Sequence, residues 1–321
     1  MPAVSIIIAC LNGAKTIGKA VRSVQDQTFQ DFEVIVVDDG STDGTYELVK
    51  SLSEQDARIV PLKLPHNMGP GAARNEGFKQ AKGTWIGILD ADDWIEPPRL
   101  EAMVKAGRET GADLVNDNMK FYDHVLGRII DQTSFGAKNK IAPLTTADAF
   151  RLDDPFRRAS IGYLQPIIRK DFLEKHHISY NTAHRVGEDF MLLADILLSG
   201  AKAVIIPEAY YVYVHMVSPT TRQKAPQSKT KRGEDSIIRA SDEILAKYGP
   251  SMNEVERRAL LARKSKFITL FAGREMQSDF HNGEPLKALG QIVKRPQILF
   301  LIGVSLCKML VARVRGFFAK A

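Results

Sequence analysis

The sequence predicts an α/β protein, a mostly parallel β-sheet flanked by helices and followed by a helical C-terminal extension. Two observations predict it. Short runs that are apolar along their whole length alternate with amphipathic segments at helical spacing, the pattern of strands buried on both faces. Every polar motif of the first hundred residues (Asn12, Asp38-Asp39, His66-Asn67 and Asp90-Ala91-Asp92-Asp93) follows one of those runs. In open α/β sheets that is where ligands bind.

The elements follow in order. Residues 4–11 are a β-branched run stopped by the turn signal Asn12-Gly13. Ile17, Ala20, Val21 and Val24 then recur at helical spacing. Residues 32–37 form a second strand, after which Thr42 or Asp43 suits the cap of a helix carrying Tyr46, Leu48, Val49 and Leu52. A third strand is expected at 59–64, a helix at 71–81 and a fourth strand at 84–89. Further on, residues 112–116 and 165–169 read as strands, 188–198 as a helix, and 203–206 and 210–215 as two short strands. Residues 219–235, rich in Pro, Thr, Lys, Gln and Ser, read as a linker or mobile loop. Helical patterns follow near 234–248, 254–276 and 296–318.

Composition narrows the class. At 44% hydrophobic and 26% charged, the chain is globular rather than disordered. Two lone cysteines, Cys10 and Cys307, make no disulfide framework, and the N-terminal apolar run lacks a basic leader, so a cytoplasmic setting is expected. The net charge of +6 is uneven. Residues 1–220 carry 24 Lys and Arg against 29 Asp and Glu, whereas residues 221–321 carry 20 against 9. A basic tail on an acidic body points to an anionic surface or to a solvated basic face. Within that tail the apolar run of 298–307 is too short to span a bilayer. Lys308, Arg313, Arg315 and Lys320 beside Leu310, Val311, Val314, Phe317 and Phe318 suit a helix lying in an anionic membrane interface. A terminal helix docked on protein is the alternative, and no nucleic-acid partner is expected.

Three carboxylates within four residues, Asp90, Asp92 and Asp93, repel one another unless water or a cation offsets their charge. A hard divalent cation held by one or two of them, with diphosphate oxygens in its other positions, would do so; the alternative is a strand-to-helix turn in which Asp93 caps the following helix. Asp39 can accept from a uracil N–H or a ribose hydroxyl, while Asp38 suits an Asx-turn before Gly40. Arg74 can reach a diphosphate or pin the acidic cluster. Glu188 and Asp189 open a helix, where acids complement the dipole; alternatively one of them is a general base. No G-x-G-x-x-G or G-x-x-x-x-G-K-[ST] follows the first strand, so dinucleotide and P-loop sites lose their main support.

Together these residues carry a resemblance. The segment VSIIIACLNGAKTIGKAVRSVQDQTFQDFEVIVVDDGSTDGT, then residues 66–75, Asp90-Ala91-Asp92-Asp93, Gly187-Glu188-Asp189 and Tyr213-Val214-His215, resembles glycosyltransferase family 2 with its GT-A fold. The look is similar to bacterial exopolysaccharide enzymes of the succinoglycan type. The resemblance is good over residues 3–105 and fragmentary to about 220. It implies a catalytic domain over 1–220, with a nucleotide-binding half (1–105) and an acceptor half (106–220), and a basic helical extension over 221–321. It implies that Ala9, Leu11, Asn12, Asp39, Arg74, Asp90 and Ala91 line the nucleotide-sugar, that Asp92 and His215 hold Mn²⁺ or Mg²⁺, and that Asp189 is the base. His215 lacks the basic neighbour common in the family, since Val214 stands there.

The expectation is an inverting, metal-dependent transfer of a hexose from a UDP-sugar, UDP-glucose favoured, to a glycan or polyprenyl-linked oligosaccharide in exopolysaccharide assembly. A peripheral place at the inner face of the cytoplasmic membrane goes with it. Phe156, Arg157, Arg158 and Tyr163 are candidates for the acceptor cleft, and Arg222 and Lys224 for closing over the diphosphate. A sugar nucleotidyltransferase and a non-catalytic assembly protein retaining the fold are the alternatives.

Overall fold

The computed structural model describes residues 1–294 apart from Ala137, Arg158, Arg185 and 216–230. For His215, residues 231–233, Pro285, Ala288, Ile292 and Lys294 the backbone alone is described. The N-terminal half alternates as expected: β1 (Val4–Cys10), α1 (Ile17–Gln25), β2 (Phe32–Asp38), α2 (Thr45–Gln55), β3 (Ile59–Lys63), α3 (Pro70–Gln80) and β4 (Trp85–Ile88). β2 is buried at every position, as a strand covered on both faces must be. Thr42 and Asp43 both lie outside α2, but the Asp43 carboxylate accepts from the Thr45 amide at 3.1 Å and so serves the helix start from two residues upstream.

The second half continues with β5 (Trp94–Ile95), α4 (Arg99–Thr110), β6 (Leu114–Asp123), β7 (Arg128–Gln132), β8 (Ala142–Pro143) and α5 (Thr146–Leu152). A 3₁₀ turn (Ile161–Tyr163), β9 (Ile167–Arg169), α6 (Lys170–Lys175), α7 (Glu188–Leu198) and β10 (Ala203–His215) follow. All the strands join one sheet in the order β3-β2-β1-β4-β9-β6-β10-β5, with β7 on β6 and β8 on β10. β3, β2, β1, β4, β6 and β10 run the same way, while β9 lies antiparallel between β4 and β6.

Two strands are longer than the sequence suggests, for one physical reason. Residues 203–206 and 210–215 belong to a single strand, β10, whose register against β6 shifts around Ala209. Backbone groups freed at such a bulge need partners. Asp117 Oδ2 accepts from the amides of Tyr210 and Tyr211 at 3.2 and 3.1 Å. The Asn118 side-chain amide donates to the carbonyls of Ile206 and Pro207 at 3.3 and 3.2 Å. The polar run Asn116-Asp117-Asn118, which made a strand look finished at 116, is therefore buried inside β6. Arg99, also buried, grips Asp117 through two nitrogens at 3.0 and 2.9 Å.

The C-terminal helices are α8 (Lys231–Tyr248), α9 (Glu254–His281) and α10 (Pro285–Lys294). α9 opens with a capping box formed by Asn253 and Glu256. Ile244, Met252 and Leu260 from this region share a second core with Phe150, Phe190 and Ala194. Arg263 of α9 pairs with the buried Asp153 and lies 3.4 Å from the Phe190 ring. No described helix is long and apolar enough to cross a membrane, and the 296–318 segment lies outside the described residues.

Candidate functional site

At the carboxyl end of β1 the chain turns at Asn12, in the left-handed region at φ 52°. The Asn12 amide donates to Ser41 Oγ at 2.8 Å and its Oδ1 accepts from the Thr42 amide at 3.0 Å, which stitches the β1 and β2 loops together. Asp38 accepts from the Ser41 amide at 3.3 Å, three residues on and so one beyond the Asx-turn spacing expected of it. Gly40, at φ 78°, brings its backbone so near His66 and Asn67 that a Cβ would sit 2.8 Å from a main-chain carbon. The buried Asp39 accepts from the amides of Met68 and Gly69 at 2.7 and 2.9 Å. Ala9, Leu11, Asp39, Asn67, Gly69 and Pro70 line one cleft there. The structure thus brings Ala9, Leu11 and Asp39 together, with Asn12 beside them as a loop tie.

The acidic segment follows β4, and its three carboxylates do different things. Asp93 is buried and neither caps a helix nor faces solvent. Its Oδ2 accepts from the Tyr211 hydroxyl at 2.7 Å and its Oδ1 from the Val214 amide at 2.7 Å, so it fastens the end of β10 beside His215. Burial, then the charges of Asp90 and Asp92, push its carboxyl well above the usual range. The Tyr211 hydroxyl also accepts from the Asp90 amide at 3.2 Å, and Ala91 packs half-buried on the core. Asp90 Oδ1 accepts from Arg74 at 2.7 Å and Oδ2 from Gln165 Nε2 at 3.3 Å.

Asp92 is exposed and has no side-chain partner among the described residues. Partial desolvation of its carboxyl, then the charge of Asp90, raises its pKa. A cation would relieve both effects. The described residues contain no group of three metal-ligating side chains. The fit is to a hard cation held by one or two carboxylates and completed by phosphate oxygens, as is common for Mg²⁺. The His215 backbone lies opposite Asp123, but its side chain is outside the described residues, as are Arg158, Arg222 and Lys224.

Arg74 joins this segment to α7. It is buried, with its guanidinium nitrogens 2.7 Å from Asp90, 2.9 Å from Asp189 and 3.8 Å from Glu188. Burial opposes its charge, yet Asp189, Asp90 and Glu188 together raise its pKa well above the ordinary value. Asp189 Oδ1 accepts from both Arg74 and the Tyr180 hydroxyl, the latter at 3.0 Å. No described hydrogen bond uses its Oδ2. Burial, then Asp90, raises the Asp189 pKa despite Arg74 and Tyr180. Burial and then Asp189 push Glu188 up to about 7. Such a group of perturbed acids around one cation at a strand end is typical of a functional site.

Tyr180, Gln165 and Tyr211, which bond Asp189, Asp90 and Asp93, are the residues of the candidate site that the sequence reading missed. Tyr180 is held by Asn75, whose Nδ2 donates to its carbonyl at 2.9 Å and whose Oδ1 accepts from its amide at 2.8 Å. Asn75 next to Arg74 was the available signal. Among the acceptor candidates, Phe156, Arg157 and Tyr163 are exposed, and the Tyr163 ring centre is 6.0 Å from that of Tyr213.

Residues 5–197 match Glycosyl transferase family 2, and the chain belongs to that family. Succinoglycan biosynthesis protein ExoO of Rhizobium meliloti (strain 1021) is 36% identical over 214 residues, which is 66% of this chain and 61% of that protein. The chain thus matches less than two thirds of that relative's length. The crystal structure of S. aureus TarS 1-349 in complex with UDP is similar at a TM-score of 0.60 and 26% identity, covering 89% of this chain and 75% of that one. Mannosyltransferase PcManGT from Pyrobaculum calidifontis, in complex with GDP-Man and Mn²⁺, shares the fold at a TM-score of 0.58 and 19% identity, covering 95% of this chain and 80% of that one.

Proposed function

We propose that this family 2 member is an inverting glycosyltransferase that moves a hexose from a UDP-sugar, UDP-glucose favoured, to a glycan or polyprenyl-linked oligosaccharide in exopolysaccharide assembly. One observation carries this. A single guanidinium, Arg74, spans the acid at the end of β4 and the acid at the start of α7, so nucleotide end and base are one guanidinium apart. The cleft of Ala9, Leu11 and Asp39 takes the base and ribose, and the TarS complex with UDP supports a uridine nucleotide.

Asp189 Oδ2, left without a donor among the described residues while Oδ1 is held, takes the proton from an acceptor hydroxyl. The acceptor's hydroxyl oxygen forms the new bond to C1 as the bond from C1 to the diphosphate oxygen breaks. Attack opposite the leaving group turns an α-linked donor into a β-glycoside. Asp92, with Asp90 nearby, would hold Mn²⁺ or Mg²⁺, which neutralises diphosphate charge when bound. The exposed Tyr163 against Tyr213 offers an aromatic face for the acceptor. Leu286, Leu289 and Val293, exposed along one face of α10 beside Lys287, extend the apolar and basic character of 296–318. They support attachment to an anionic membrane surface at its cytoplasmic face.

The test is Mn²⁺-dependent release of UDP from a panel of UDP-hexoses by wild type, Asp189→Ala and Asp92→Asn. Asp189→Ala is expected to abolish transfer while still binding UDP, and Asp92→Asn to need more Mn²⁺. Wild-type turnover by Asp189→Ala removes it as base. Free diphosphate in place of UDP would instead mark a nucleotidyltransferase.

A further inference from the structure

Beyond the residues matched to the family, α8 touches the catalytic segment through a buried polar cluster. The segment from Tyr180 to Asp189 carries both the hydroxyl that holds Asp189 Oδ1 and Asp189 itself. Within it His184 is 2% exposed. Its Nδ1 lies 2.8 Å from Ser236 Oγ and its Nε2 2.9 Å from Glu243 Oε2. Ser236 and Glu243 sit roughly two turns apart on α8, hence on one face. The Ser236 hydroxyl donates to the Val186 carbonyl at 3.0 Å, and Asn181 Nδ2 donates to Glu243 Oε2 at 3.3 Å. One helix face therefore holds the segment at Asn181, His184 and Val186.

Gly187 follows at φ 84° and caps α7, whose first two residues are Glu188 and Asp189. A Cβ built on Gly187 would lie 3.6 Å from the Ile237 side chain, so α8 also packs on the turn itself. Serine, histidine and a carboxylate form a nucleophile relay in hydrolases. Here Ser236 is buried and its hydroxyl hydrogen goes to a main-chain carbonyl, so a substrate has no access to it. The cluster holds structure rather than attacking a bond.

We infer that α8 is a positioning element of the transferase site: Ser236 and Glu243, acting through His184, set Tyr180 and Asp189 in register with Arg74. This rests on Asp189 being the base. A carboxylate must sit within hydrogen-bond reach of the proton it takes, and a displacement of about 1 Å can cost roughly 100-fold in rate. Release of the segment should therefore lower kcat without touching the nucleotide cleft, which is built from the loops after β1, β2 and β3.

The experiment uses the full chain and whichever UDP-hexose the wild type turns over fastest with Mn²⁺. Ser236→Ala, Glu243→Ala and the conservative Glu243→Gln are compared with Lys247→Ala, which breaks a different α8 contact, to Asp195 at 2.9 Å. UDP affinity is measured by calorimetry alongside kcat and donor KM. The expected result is a fall in kcat of roughly 10- to 100-fold for the two alanine variants. Glu243→Gln falls less, Lys247→Ala keeps the wild-type rate, and UDP affinity and donor KM are unchanged throughout. Wild-type kcat in folded Ser236→Ala and Glu243→Ala overturns the proposal, as does a parallel loss of UDP affinity. Asp189→Asn separates the two ideas. If it alone is inactive, the base stands and α8 positioning fails; if it retains turnover, both fail.

Discussion

Replacing Arg74 probes the charge and the geometry of the site separately. Its side chain is 7% exposed and lies against Asp90, Asp189 and Glu188, with side chains 29%, 28% and 11% exposed. Removing one partner of a buried ion pair costs about 3–5 kcal/mol, because the remaining charge is left uncompensated. Two of these three carboxylates are partly wet, so screening puts Arg74→Met near the lower end, about 3 kcal/mol. The loss is expected to be larger at pH 8 than at pH 5. Without the cation the pKa values of Asp189 and Glu188, already raised, rise further. The folded state then binds more protons than the unfolded chain, and its stability falls as pH increases through that window. Arg74→Lys keeps the charge, but a single ammonium does not match the fork that bonds Asp90 through one nitrogen and Asp189 through another. It should cost about 1–2 kcal/mol in stability yet roughly 100-fold in kcat. Urea unfolding at both pH values and steady-state UDP release measure the two quantities. A lysine variant as fast as wild type, or a methionine variant equally destabilised at both pH values, would refute the account.

Glu188→Gln is expected to stabilise the protein above neutral pH and to do little near pH 4. Burial and then the charge of Asp189 push Glu188 up to about 7 in the fold against an ordinary 4.5, so its ionisation costs stability as pH rises between those values, on the order of 3 kcal/mol. Thermal melts across that range check it, and a pH-independent difference would count against it. The full chain should sediment with anionic lipid vesicles, less so with added salt or with Leu286→Glu and Val293→Glu, and not with zwitterionic ones. Equal recovery with both vesicle types would argue against an electrostatic membrane contact.

Much of this protein is written locally. The runs at β1, β2 and β4 are predominantly apolar on both faces, so they are buried on both faces, and the polar residues after them collect at one end of a parallel sheet. The helix at Glu188–Leu198 announces itself by length, periodicity and the acids of its first turn. Residues distant in the chain decided the rest. Asp93 looked like a helix cap until β10 was placed, because its partners Tyr211 and Val214 are supplied by a strand that forms more than a hundred residues later. β10 looked like two strands because Asp117 and Asn118 satisfy its bulge from the neighbouring strand. Arg74 had two readings, and only the approach of α7 to the end of β4 showed it bridging Asp90 and Asp189. Periodicity and turn chemistry are short-range properties that a sequence carries openly. A buried charge finds its partner only when the whole sheet closes, since the low-dielectric surroundings that make the pairing obligatory exist only in the folded chain.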